Sequence, residues 1–311
     1  MQKEYKTPDE LINILQERGM VFSNPVIAKR KLNEINYFTL KGYNRLLLIK
    51  ENKYKSKCDF NELINLYNFD KELKGLLLEY LLDIEMKIKT SISNVISSKY
   101  GINEKIYLNK KNYDVLNTHL DQALKIIKDQ ITEYGSKNEA VKYYKNKYGF
   151  IPFYVLSKCL TLGAIKRLFN SMKQSDQSVI CNCLLHKEID NRKINRVKTF
   201  IALIADVRNM CAHDEIIFNF SHKSIDIGLL PEHKKFKLKV NKSGNIIQGR
   251  KDLLALFISM KYLMSKSDYN KFIQKIESLI YKHIKKSKIV SKTKLLDYMH
   301  LPRNFEILKT I

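Results

Sequence analysis

One stretch constrains this chain more than any other. From about Asp59 to Lys99, Leu63, Leu66, Leu73, Leu77, Leu81, Ile84, Ile88, Ile92 and Val95 recur at helical steps. An apolar stripe with that period, unbroken by proline, is one long amphipathic helix, with Gly75 as a candidate kink and Gly101 as its stop. Asp70 and Glu85 fall beside the stripe rather than opposite it. A carboxylate in such a place needs a partner.

The rest of the chain carries the same punctuation. Thr7-Pro8-Asp9-Glu10 supplies a cap, a proline at the first helical position and acidic residues at the positive helix end, and Gly19 stops that helix. Asn24-Pro25 opens the next one. Residues 102–150 suit two short helices with loops. Pro152 is expected to open a helix through Met172, another covers about Ser175–Leu185, and Asp190 caps a helix over about Asn191–His213. Two helices fill about 250–286, and a last short one follows in 293–311. Only 231–249 breaks the period: Phe236, Leu238 and Val240 alternate with lysines before Ser243-Gly244-Asn245, which reads as a β-hairpin or basic flap. With 10 Gly and 5 Pro in 311 residues, the expected class is all-α with a small β-hairpin. It divides into an N-terminal helical region, 1–58, and a helical core, 59–311, expected to form one compact unit.

Charge limits the partners. Lys and Arg total 56 against 32 Asp and Glu, a formal net charge of +24. Composition alone allows RNA, DNA or an anionic membrane as the polyanion that balances it. No apolar run approaches the ~18 residues needed to span a bilayer and no signal-peptide pattern opens the chain, so a cytoplasmic protein with no membrane partner is expected. Cys58, Cys159, Cys181, Cys183 and Cys211 form no C-x-x-C pair, which points to free, mostly buried thiols rather than structural zinc. Phosphate-loop, H-E-x-x-H and EF-hand patterns are absent.

One constellation carries chemistry. Arg208-Asn209-Met210-Cys211-Ala212-His213 contains R-N-x-x-x-H at the end of an amphipathic helix whose core stripe is Ile194, Val197, Ile201 and Ile204. Asn209 and His213 are four apart and share a face, while Arg208 continues the core stripe. A cation there needs a counter-charge, which Glu85 or Asp70 can provide. On spacing alone the trio fits two descriptions: a polar network closing a helix end, or a phosphate site.

The trio resembles the R-x4-6-H signature of HEPN ribonucleases. The chain around it resembles the Abi-like family of bacterial abortive-infection proteins, of the AbiD/AbiF type. The matching stretches run in order over nearly the full chain, from Leu15-Gln16-Glu17-Arg18-Gly19-Met20 and Leu32-Asn33-Glu34-Ile35-Asn36-Tyr37-Phe38 with Gly42-Tyr43, through Leu66-Tyr67-Asn68-Phe69-Asp70-Lys71-Glu72-Leu73, Ile84-Glu85 with Lys89, Tyr100-Gly101 and Pro152-Phe153-Tyr154-Val155 with Leu162-Gly163, to the motif itself with Asn219 and the end, Leu295-Leu296 to Met299 with Leu301-Pro302. The pair Asp214-Glu215 departs from relatives that carry a second histidine or a neutral residue there. The resemblance implies a HEPN-like helical bundle and a metal-independent endoribonuclease that needs no cofactor. In it His213 transfers protons, Arg208 clamps phosphate and Asn209 orients His213 or the phosphate, with Asp70, Glu85 and Lys89 in support. It further implies a homodimer that joins two motifs, a target RNA, and a small antitoxin RNA that restrains the protein. The rival reading is a structured-RNA-binding protein of the same defence system that does not cut.

Several cations are candidates for tracking an RNA backbone: Arg192, Arg196 and Lys198 upstream on the motif helix, and Lys235, Lys237 and Lys239 in the flap. Phe236 among the flap lysines, and Tyr143, Tyr144 and Tyr148 elsewhere, suit base stacking or plain packing. His119, His186, His222, His233, His283 and His300 have no convergent partner in sequence.

Overall fold

The computed structural model describes residues 4–135 and 137–310. Local chemistry sets the first elements. Helix α1 (Pro8–Glu17) starts with a capping box in which Thr7 and Glu10 satisfy each other's backbone N–H groups. Gly19, at φ +88°, turns the chain away. Helix α2 (Pro25–Glu34) is capped by Asn24, and the short α3 (Tyr37–Lys41) by Asn36.

A small antiparallel pair follows, β1 (Leu48–Lys50) with β2 (Lys53–Tyr54). The all-α class with one small hairpin therefore holds, but the hairpin lies here and not at 231–249. That later segment is a 3-10 turn at Pro231–Lys235 followed by an irregular loop pinned by a single bridge, Val240 to Ile246. Its alternation has another cause: Phe236 is buried, while Lys235, Lys237 and Lys239 are exposed.

The dominant element is α4 (Phe60–Tyr100), 41 residues long. Asp59 caps it, accepting from the Asn61 N–H at 2.8 Å, and Gly101 at φ +82° closes it. The helix runs through Gly75 without interruption, and open space lies beside that glycine. Five further helices fill the middle of the chain: α5 (Glu104–Tyr107), α6 (Leu120–Gly135), α7 (Glu139–Tyr148), α8 (Phe153–Leu156) and α9 (Leu162–Ser171). The single helix expected from Pro152 to Met172 is thus two. Thr161 caps α9 through the Ala164 N–H, a start signal inside the expected span.

Next come α10 (Gln174–Leu184), α11 (Lys193–Ala212), α12 (Leu253–Leu263), α13 (Lys266–Lys286) and α14 (Lys292–Tyr298). Helices α8, α10, α11 and α13 all pack along α4, which forms the axis of the bundle. Buried apolar side chains from Ile12 to Leu308 make one connected core. Among the described residues, no helix is long and apolar enough to cross a membrane.

Candidate functional site at the end of α11

The core side of α11 is built from Val197, Phe200, Ile201, Leu203, Ile204 and Val207, all buried. Burying that stripe against α4 fixes how the helix end presents Arg208, Asn209 and His213. Arg208 is half-buried; Asn209 and His213 are exposed. His213 is the C-cap, its N–H closing the last turn on the Asn209 carbonyl at 2.9 Å.

Two moorings hold this end to α4. In the first, the Arg208 Nε donates to Glu85 Oε2 at 3.1 Å, and the other oxygen of Glu85 meets Lys89 at 2.8 Å. A buried carboxylate is thereby shared between two cations, and the guanidinium is oriented from one edge. Its Nη1 reaches Asn209 at 3.4 Å, and Nη2 has no hydrogen-bond partner among the described residues. Glu85, one of the two partners the sequence allowed for Arg208, is the one that serves.

Asp70 does something else. Fully buried, it accepts from the Tyr43 hydroxyl at 2.8 Å and from the N–H groups of Ile217 and Phe218 at 3.0 and 2.7 Å. Lys74 lies 3.2 Å from it and also pairs with Asp214. Burial pushes the Asp70 pKa above the usual carboxylate range, while Lys74, Tyr43 and the two backbone donors act against that rise. Asp214 stands at φ +58°, where the chain leaves the helix, so its ion pair with Lys74 fixes the turn just after His213. The departure at Asp214 thus has a structural task. Lys74 and Tyr43 are the residues that reading the sequence missed. The four-residue spacing of Asp70 and Lys74 was the available signal.

The neighbours narrow the chemistry. Burial pushes the Cys211 thiol up to about 12, so it stays protonated and is no nucleophile. His222 does have a partner: its Nε2 lies 3.2 Å from Asp206, while its Nδ1 accepts from the N–H groups of Ser224 and Ile225. The His213 imidazole has no hydrogen-bond partner among the described residues. Among them, too, no three or more His, Cys, Asp or Glu side chains are grouped to hold a metal ion.

The expected phosphate-tracking cations differ in exposure. Arg196 is buried, its guanidinium donating to the carbonyls of Ile227 and Leu229 and to Asp190. It braces the 227–229 loop and is not placed to touch RNA. Asp190 holds Arg196 and Arg192 rather than capping α11, which has no side-chain cap. Arg192 is exposed, and Lys198 is half-buried, with burial lowering its pKa. Lys239 faces Asp297 at 3.8 Å, and buried Phe236 is unavailable for stacking. A groove of about 900 Å3 between α4 and α13 has no lining residue from α11. Asn209 and His213 of the motif stand on exposed surface.

Fold and site together define a helical bundle that presents an Arg–Asn–His group at the end of one buried helix. A family model described as Abi-like protein matches residues 30–219, and the chain belongs to that family. The match spans α4 and α11 and so contains Asp70, Lys74, Glu85, Lys89, Arg208, Asn209 and His213. Family membership suggests a role in abortive infection. No curated protein and no solved structure matches the chain.

Proposed function

We propose that this protein is an endoribonuclease toxin of an abortive-infection system, restrained by an RNA partner and active as a homodimer. One observation carries the reading. An exposed imidazole with no hydrogen-bond partner among the described residues sits at a helix end where a guanidinium is already held in place by Glu85.

RNA brings its own nucleophile. In the proposed reaction the 2′-hydroxyl gives its proton to a neutral imidazole as its oxygen bonds to phosphorus. The bond from phosphorus to the 5′ oxygen breaks, and that oxygen takes a proton from an imidazolium. The products are a 2′,3′-cyclic phosphate and a 5′-hydroxyl. Histidine titrates near neutrality and serves either step. The free face of Arg208 offsets charge building on the phosphate oxygens. Asn209, 3.4 Å from the Arg208 Nη1 and one turn before His213, orients the imidazole or the phosphate.

One imidazole cannot be base and acid in the same step. A second copy of the chain supplies the other, with both His213 side chains in one cleft. The surplus of +24 favours a polyanionic partner, which covers both target and restraining RNA.

Expression tests the reading. Wild type is expected to arrest growth, and His213→Ala at equal abundance to be harmless while still co-purifying with RNA. Equal toxicity with unchanged RNA binding would instead favour a protein that holds RNA without cutting it.

A further inference from the structure

A second surface has the composition of a nucleic-acid contact. Helix α7 and the turn into α8 carry Tyr143, Tyr144, Tyr148, Phe150 and Tyr154 in one continuous ring cluster. Centroid separations run from 5.3 Å (Tyr144 to Tyr148) to 6.2 Å (Tyr144 to Tyr154). Every contact is tilted or edge-to-face, so the outer ring faces are not used up by stacking on one another. Tyr143, Tyr148 and Tyr154 are 49%, 48% and 44% exposed. A cation sits among them: the Lys147 ammonium lies 5.1 and 5.4 Å from the ring centroids of Tyr143 and Tyr148 and donates to the Tyr143 hydroxyl at 2.7 Å.

Packing explains Tyr144, which is half-buried against the core, but not the three outer rings. Charge identifies what would cover them. Residues 137–158 contain Lys137, Lys142, Lys145, Lys147 and Lys158 against one acid, Glu139, which is paired with Lys142. Half-exposed aromatic rings among lysines match a partner with flat apolar faces strung on a negative backbone. The platform also lies on the axis that carries the α11 site. Helix α8 packs on α4, the helix that carries Glu85 and Lys89.

We propose that Tyr143, Tyr148 and Tyr154 form a stacking platform for unpaired bases of single-stranded RNA, with Lys145, Lys147 and Lys158 on its phosphates. This rests on the reading of RNA as the ligand and adds which form of RNA is gripped and where.

The chain has no tryptophan, so Tyr148→Trp introduces a single indole into the platform. Placed in the full-length His213→Ala protein, that indole should be quenched by a short unstructured oligoadenylate and not by polyphosphate, which has the charge without bases. Equal quenching by both, or none by the oligonucleotide, overturns the platform. In the same background Tyr148→Ala should weaken oligoadenylate binding at least about fivefold. Duplex RNA, whose bases already stack on each other, should bind unchanged, and Tyr148→Phe should keep wild-type affinity. A phenylalanine variant as weak as the alanine one, with both folded by circular dichroism, overturns it too. The outcomes separate the two proposals. Cutting by the otherwise wild-type protein with no quenching in the His213→Ala background removes the platform alone; quenching in that background with no cutting by the otherwise wild-type protein removes the nuclease alone.

Discussion

At the residue scale, two carboxylates on α4 do different work although the sequence places them alike. Glu85 positions Arg208, and Asp70 holds the turn that follows His213. Their substitutions should therefore separate activity from stability. Asp70→Ala leaves buried Lys74 with only the exposed Asp214 for a partner and strips the Tyr43 hydroxyl and two backbone N–H groups of theirs. It should lower unfolding free energy by about 3–5 kcal/mol, read as a shift in the urea midpoint. A shift below about 1 kcal/mol would show that the Asp70 network is not holding the turn. Glu85→Gln keeps a hydrogen-bond acceptor near Arg208 and loses the charge, so it should reduce cutting with only a small change in melting temperature. The need for these partners was legible, because a charge on a core stripe demands one. Which partner went where was not, because the choice depends on how α11 seats on α4.

At the element scale, α4 and α11 were readable because each buries a continuous stripe, and periodicity reports burial directly. The α8–α9 break and the 231–249 loop were not. In the first a Thr161 cap interrupts an otherwise apolar run. In the second, alternation came from one buried ring and backbone turns rather than from strand pairing. The same loop region gives a test of Arg196 as a brace. Gly228 adopts φ +65°, and a Cβ there would strike the Arg196 guanidinium. Gly228→Ala should cost about 2 kcal/mol or more through backbone strain and displacement of that buried charge. Unchanged stability would contradict the bracing role.

Helix α13 carries a pH dependence of its own. The His283 ring packs 4.8 Å from Phe69, and burial pulls its pKa from 6.5 to about 4. Between those values the unfolded chain takes up a proton that the folded protein refuses. Stability from this site is therefore complete above pH 6.5 and is lost as pH falls toward 4, by about 3 kcal/mol at the lower limit. Replacing the ring with a group that does not titrate, as in His283→Phe, should flatten the wild-type loss of stability over that window. An identical slope in the variant would show that His283 is not its source.

At the scale of the whole molecule, the charge surplus and the half-site at the end of α11 make linked predictions. Binding of single-stranded RNA should weaken with salt, with log affinity falling against log salt at a slope steeper than about −2. That is the value for about three phosphate contacts on a single strand. A flat dependence would mean the surplus of +24 is not used for RNA. If two copies share one cleft and both imidazoles act, mixing wild-type chains with an excess of His213→Ala chains should lower cutting per wild-type chain, because each mixed dimer keeps only one imidazole; unchanged cutting per wild-type chain would contradict the shared cleft.

The most direct measurement of the central claim is the chemistry of the RNA ends left by purified protein. Wild type should leave 2′,3′-cyclic phosphate and 5′-hydroxyl ends, and His213→Ala should cut at least about a hundredfold more slowly while folding and binding RNA as wild type does. Ends carrying a 5′-phosphate, or a His213→Ala protein that cuts at the wild-type rate, would contradict the account.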